Sequence, residues 1–335
     1  MFDWSDCIRL INKAQRVAVL PHLSADGDGL GSAFSLAMAI DSLGKKAVVL
    51  LEEPVEGRLE FMLPLNKVEY YILPEKPEGD FDLAIAVDAA DRLRLGNRQE
   101  IFFRAGASVK IDHHIEKDPF GEFNYVNQKW AANCEGIWEL LCHEPWNLEG
   151  KLSGRNTDEF YHALAKCLYC GIATDTGSFA YSNTTENTHR IAGKLLAVLG
   201  DVSEYHFRLF DCESKACLAL KGISYGKISY SGDGKMAFLL LTQDDFDKAG
   251  ATYDDANDIV NVLRGIEGVE LAVFGRPGRN GNGVKVSMRS NKFYDVAAFS
   301  MSQGGGGHVR AAGFDFNGDF EELKKDVVDY YNGSK

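Results

Sequence analysis

The chain has 335 residues, too many for a comfortable single small domain, and its 45% hydrophobic and 25% charged residues are the balance of a globular protein. Its 36 basic and 49 acidic residues leave a net charge of −13, which excludes a generic basic surface for long duplex nucleic acid and confines an anionic ligand to a place where cations reverse the field. No apolar run approaches the roughly 20 residues of a membrane span, MFDWSDCIRLINKAQ lacks the parts of a signal peptide, and seven irregularly spaced cysteines read as reduced thiols, so a cytoplasmic protein with no membrane partner is expected.

RVAVL (16–20) predicts a buried strand, GSAFSLAMAIDSLG (31–44) a helix and KAVVLLEE (46–53) a second strand. FDLAIAVD (81–88) and SVKID (108–112) predict two more strands, EGIWELLCHE (135–144) and TDEFYHALAKCLYCGIA (157–173) two helices. Strands alternating with helices imply an α/β fold: a parallel sheet with helices on both faces. Cys167 and Cys170 form a CxxC inside the second of these helices and, without another pair, read as buried thiols. Past residue 195 the chain reads as helical connecting material. A second, smaller α/β unit then starts at KMAFLLLT (235–242) and continues through a helix near 254–265, ELAVFGRP (270–277), GVKVSMRS (283–290) and a final amphipathic helix, FEELKKDVVDYY.

Acidic and histidine residues gather at the ends of these elements. His22, Asp26 and Asp28 follow the first strand in PHLSADGDGLGS; Asp88 ends LAIAVD; Asp112, His113 and His114 end VKIDHH; Asp175 sits in GIATDTGSF, after an apolar helix end. In a parallel sheet such ends converge on one edge. Carboxylates packed there repel one another and raise each other's pKa, a cost that divalent cations remove. Mixed imidazole and carboxylate ligands suit Mn²⁺, Fe²⁺, Co²⁺ or Zn²⁺ better than Ca²⁺. Gly27, Gly29 and Gly31 are expected to turn the backbone sharply so that both aspartates face one place. A dinucleotide loop fits poorly, because the GxGxxG spacing is absent and two aspartates would repel a pyrophosphate. A single aspartate at a strand end is more often a helix cap. The four segments together are what point to metal chemistry, whereas His143, His162, His189 and His206 read as structural, and Ser32 and Ser178 as helix caps.

In the second unit, QGGGGHVRAAG offers consecutive backbone N–H groups from a flexible turn, with a helix expected after it, as a nest for phosphate. His308 adds a donor, and Arg289, ending a strand, could grip a terminal phosphate in bidentate fashion. The plainer alternative is a tight turn between domains.

HLSADGDGLGS, AVDAAD, IDHH and ATDTGSF resemble the four motifs of the DHH phosphoesterase superfamily, and GGGGHVRAAG is similar to the hallmark of the DHHA1 domain that often follows. The nearest likeness is to a stand-alone subgroup that degrades very short oligoribonucleotides and dephosphorylates pAp, whose members are also called exopolyphosphatase-related proteins. The resemblance implies a DHH catalytic domain over 1–195, a helical linker or hinge over 196–216, a DHHA1 substrate-binding domain over 217–335, and an active site in the cleft between the domains. It implies two divalent metal ions, Mn²⁺ being favoured: one on His22, Asp26 and Asp88, the other on Asp28, Asp88, His113 and Asp175, with Asp88 bridging. His114 would face the substrate phosphate or leaving group, Asp112 would orient a histidine, and Arg289, Gly305, Gly306, Gly307 and His308 would bind substrate. The implied activity is hydrolysis of nanoRNA, of linear dinucleotides such as pGpG or pApA, and of pAp. The partner would be a short single-stranded RNA or nucleotide, and a homodimer would be in keeping with relatives. The alternatives are a pyrophosphatase or exopolyphosphatase, and a non-catalytic nucleotide-binding module.

Overall fold

Buried runs of Val, Ile, Leu and Ala too short for helices build the central layer of the first half. The computed structural model describes residues 2–64, 68–75, 78–115, 118–152, 158–278 and 283–333, except for the side chain of His308. The chain divides into two units, Met1–Cys212 and Glu213–Lys335.

In unit 1, β1 (Arg16–Pro21), β2 (Lys46–Leu51), β3 (Glu69–Ile72), β4 (Leu83–Val87), β5 (Ser108–Asp112) and β6 (Phe123–Val126) form one sheet in the order 3-2-1-4-5-6. Every pairing is parallel. Alternation along β1 sends Val17 and Val19 into one core and Ala18 and Leu20 into the other, so both faces are covered, as a parallel sheet requires. The helices are α1 (Ser5–Lys13), α2 (Gly27–Asp41), α3 (Gln99–Arg104), α4 (Asn133–Leu141), the single turn α5 (Leu148–Lys151), α6 (Glu159–Asp175), α7 (Glu186–Leu199) and the short α8 (Ser203–His206). Helix α2 packs along α6 and α4, and every residue from Gly27 to Ile40 is buried. Cys167 and Cys170 are free, buried thiols on α6, as expected. The expected linker 196–216 behaves otherwise in its first part: Leu199 and Leu209 are buried in the unit 1 core, with Val202 and Tyr205 packed against it.

Unit 2 has α9 (Lys215–Tyr225), α10 (Gln243–Ala249), α11 (Ile259–Arg264), α12 (Val296–Ser302) and α13 (Phe320–Gly333) around β7 (Ser229–Tyr230), β8 (Met236–Leu240), β9 (Leu271–Pro277), β10 (Val284–Ser290), β11 (Gly306–His308) and β12 (Ala311–Phe316). The order is 11-12-10-9-8-7, with β8 and β9 parallel and the other neighbours antiparallel. One core lies on each face of this sheet.

Candidate metal centre

The strand order reverses between β1 and β4, the place in a parallel sheet beyond whose carboxyl ends ligands bind. His22 follows β1 and Asp88 follows β4 at that point, while His113 and His114 follow β5 next door. Asp88 has φ of 55°, a left-handed conformation costly for a non-glycine residue, which its packed surroundings hold in place.

Asp26 caps α2, its Oδ1 accepting the N–H groups of Asp28 (3.0 Å) and Gly29 (3.1 Å). Asp28, fully buried two residues on, accepts the backbone N–H groups of Asn133 (to Oδ2) and Cys134 (to Oδ1), so the N-terminus of α4 steadies its charge. Asp175 is the last residue of the 17-residue α6, where the helix dipole opposes a carboxylate. A nearby cation is what such a residue needs.

The expected ligands converge. His22 Nε2 lies 3.6 Å from Asp26 Oδ1 and 3.5 Å from Asp88 Oδ2. His113 Nε2 lies 3.4 Å from Asp88 Oδ1, 3.3 Å from Asp175 Oδ2 and 3.9 Å from Asp28 Oδ2. The two oxygens of Asp88 therefore face two different imidazoles. Ligand atoms of His22, Asp26 and Asp88 fall within 4.8 Å of one another, as do those of Asp28, His113 and Asp175. Asp88 Oδ1 is buried with no hydrogen-bond partner among the described residues. An orphaned carboxylate oxygen facing imidazole nitrogens fits a divalent cation.

The electrostatics agree. Burial pushes Asp28 up to about 7, aided by the charge of Asp88. Burial and three neighbouring carboxylates raise Asp175 well above the ordinary range. Burial alone would lower the two histidines, but the surrounding aspartates outweigh it, taking His22 to about 9 and His113 to about 11. Against the desolvation of the crowded site, His22 and the N–H groups of Gly29 and Asp28 hold Asp26 below the usual carboxylate range. These groups hold protons where cations would otherwise balance the acids.

Asp112 is buried and accepts the N–H groups of His113 (2.9 Å) and His114 (3.3 Å); the same oxygen lies 2.9 Å from His114 Nδ1. Desolvation would raise it, but His114 and Lys110 bring it to about 2. His114 Nδ1 also lies 3.5 Å from Asp88 Oδ1, and its side chain is 31% exposed, the most open of the imidazoles here.

Three expectations need correction. Gly27, Gly29 and Gly31 lie inside α2, not in a sharp turn, and none has positive φ. They permit close approach: an added Cβ would lie 3.2 Å from His22 Cδ2 at Gly29 and 2.5 Å from the Cys167 carbonyl oxygen at Gly31. Neither serine caps a helix, since Ser32 accepts from Asn133 within the core and Ser178 meets His206 Nδ1 at 3.1 Å. The glycine segment of unit 2 is followed by β12, not by a helix. Gly306, Gly307 and His308 pair with Gly313, Ala312 and Ala311 as an edge strand, while the Gly305 N–H donates to Ser300 O. The open part of the expected nest is correspondingly smaller, although Gly304 (φ 80°) and Gly307 (φ 140°) keep the glycine-only backbone expected of that segment. Arg289 lies on β10 between Ala272 and Ala311, its Nη1 donating to Met288 O. The side chain of His308 lies outside the described residues.

Two residues escaped the sequence reading. Lys110 is fully buried, its Nζ 3.4 Å from Asp112 Oδ2 and donating to Ala90 O; a lone lysine within an apolar strand was the available signal. Arg94, exposed, places Nη2 2.8 Å from His22 Nδ1, and nothing in RLRLGN announces that.

This fold and this cluster define a member of a known class. The DHH family, N-terminal domain, matches residues 16–172, and the DHHA1 domain matches residues 233–333. The chain belongs to the DHH family and carries a DHHA1 domain. Among its relatives, it is 29% identical to the bifunctional oligoribonuclease and PAP phosphatase NrnA of Thermus thermophilus (93% of this chain, 88% of the relative) and 29% identical to the protein of the same name from Bacillus subtilis (92% of each). A crystal structure of an exopolyphosphatase-related protein from Bacteroides fragilis shares the fold, with a TM-score of 0.84 at 23% identity over 96% of this chain and 93% of that one.

Proposed function

We propose that the chain is a two-metal phosphoesterase that hydrolyses short oligoribonucleotides, linear dinucleotides and pAp. The observation that carries the reading is Asp88, whose two oxygens face His22 on one side and His113 on the other. His22, Asp26 and Asp88 would hold one ion, and Asp28, Asp88, His113 and Asp175 the second, Mn²⁺ being the ion we favour for this donor set. The names of the relatives, at similar length, support the substrate class.

When bound, paired divalent cations supply Lewis-acid polarisation of a phosphoryl oxygen and a water acidic enough to attack phosphorus near neutral pH. The chain's residues do the rest. Backbone N–H groups of α4 fix Asp28 against its neighbours. Asp112 holds His114 at Nδ1, which leaves Nε2 to meet a phosphoryl or departing oxygen. In this reading Arg289 and the segment Gly305, Gly306, Gly307 and His308 bind the phosphate of the substrate that is not cleaved.

The test is a panel of pAp, pGpG, a short RNA, a long RNA, pyrophosphate and polyphosphate, each with Mn²⁺ and after chelation. We expect hydrolysis of the first three, lost on chelation and in Asp88→Ala. Turnover confined to pyrophosphate or polyphosphate rejects the substrate assignment, and full activity in Asp88→Ala rejects the bridging role.

A further inference from the structure

Arg94 stands exposed at the metal centre. Among the described residues its guanidinium has one polar contact, Nη2 at 2.8 Å from His22 Nδ1, and no ion pair. That nitrogen is already occupied. His22 Nδ1 also lies 2.6 Å from Leu23 O. A carbonyl oxygen only accepts, so Nδ1 carries the hydrogen between them and keeps no lone pair for a guanidinium N–H. Arg94 therefore turns a donor toward a donor. A cation bound at His22 Nε2, the nitrogen 3.6 Å from Asp26 and 3.5 Å from Asp88, leaves that hydrogen on Nδ1 and the mismatch in place.

The backbone beneath Arg94 is fixed all the same. Its carbonyl oxygen accepts the Leu23 N–H at 2.7 Å. Asp91 Oδ1 accepts the N–H groups of Leu93 and Arg94 at 2.9 and 3.2 Å. Gly96, at φ 56°, brings the same turn against Leu23, where an added Cβ would lie 2.7 Å from Leu23 Cδ2. A tied-down turn thus presents an exposed guanidinium beside the cluster. Arg92, two residues earlier, differs: its Nε and Nη2 grip the Asp118 carboxylate at 2.6 and 2.7 Å.

Charge indicates what Arg94 is left to meet. The aspartates of the ligand groups, Asp26, Asp28, Asp88 and Asp175, carry a charge that two divalent ions would only balance. Asp112 has Lys110 at 3.4 Å. A phosphoryl group brings further negative charge, and the guanidinium of Arg94 answers it with paired N–H groups that match two phosphoryl oxygens.

We propose that Arg94 is a substrate-binding residue, its guanidinium turning from His22 to grip the phosphoryl group held at the cations. This rests on the phosphoesterase reading and adds a residue to that site.

Inorganic phosphate is the probe, titrated by calorimetry into the full chain with saturating Mn²⁺, and pAp is the substrate. Arg94→Gln should weaken phosphate binding at least about tenfold and lower kcat/KM for pAp to a similar degree. Arg94→Lys, which keeps the charge but loses the fork, should restore part of both. Mn²⁺ affinity without phosphate should match or exceed the parent's in Arg94→Gln, because a positive neighbour of the cations is gone. A loss of Mn²⁺ affinity of about tenfold in that variant overturns the proposal, by making Arg94 a support of His22. Phosphate binding and kcat/KM unchanged in Arg94→Gln overturn it as well. A parent that hydrolyses none of pAp, pGpG and short RNA ends the phosphoesterase reading and the proposal with it. A parent that hydrolyses them beside an equally active Arg94→Gln ends the proposal alone.

Discussion

At the scale of residues, the metal centre is a set of charges that cannot coexist without positive partners. In the chain without cations, His22 at about 9 and His113 at about 11 are both protonated at neutral pH. Each must lose that proton to offer a lone pair, so cation binding at pH 7 should release at least two protons. Calorimetry of Mn²⁺ binding in buffers of different ionisation enthalpy counts them. Affinity should also climb with pH through 6 to 9, by on the order of tenfold per pH unit for each proton released. An enthalpy indifferent to the buffer would contradict this. The sign for folding runs the other way. Raised imidazole pKa values stabilise the cation-free fold fully below about 6.5, and for His22 that support fades as pH rises through about 9. Every one of these candidate ligands was legible in the sequence: His22, Asp88, His113 and Asp175 stand at the end of an apolar run where a strand or helix must stop, and Asp26 and Asp28 stand where the next helix begins. What was hidden is the support that comes from backbone or from distance: the α4 N–H groups on Asp28, Lys110 under Asp112, and Arg94 against His22. Backbone donors carry no side-chain signature, and a contact across 72 residues has no local pattern.

At the scale of elements, the position of α2 on α6 sets the spacing of the ligands. Asp28 sits one turn before Gly31, and Asp175 two turns after Cys167. At Gly31 an added Cβ would fall 2.5 Å from the Cys167 carbonyl oxygen and 3.0 Å from Cys134 Sγ, against backbone that has little room to retreat. Gly31→Ala should therefore cost about 1–3 kcal/mol in urea unfolding of the cation-free chain and should weaken binding of the second cation, since the helices must part. Gly193→Ala is the control. Position 193 lies within α7 with nothing within 4 Å of the added carbon, so it should be neutral or stabilising by up to about 1 kcal/mol. Similar losses at both positions would show that helix propensity, not contact between α2 and α6, governs Gly31. Three strands missed in the sequence share a physical cause. The four-residue strands β3 (EYYI) and β6 (FNYV) are sheet edges, exposed or half-buried along most of their length, so they lack the long apolar run that reveals a central strand. The glycines of β11 conceal an edge strand, because glycine is read as a turn wherever its pairing partner is unknown.

At the scale of the whole molecule, the charge of −13 and the cations that the candidate centre would hold act on a polyanion in opposite senses. Two divalent ions would reverse the field only within a Debye length of about 10 Å at moderate salt, which spans a dinucleotide and little more. Phosphates beyond that distance meet the acidic remainder of the chain. A long RNA should thus bind more weakly than a short one, and the difference should be electrostatic rather than steric. Salt separates the two causes. Raising it from about 50 to about 200 mM weakens the attraction at the cations and the repulsion along the tail together, and the tail, with more charges, should gain more. The ratio of kcat/KM for a five-nucleotide RNA to that for a 24-nucleotide RNA should fall as salt rises, measured with saturating Mn²⁺ throughout. A ratio that stays constant across that range would mean that the shape of the site, and not the charge of the chain, selects short substrates.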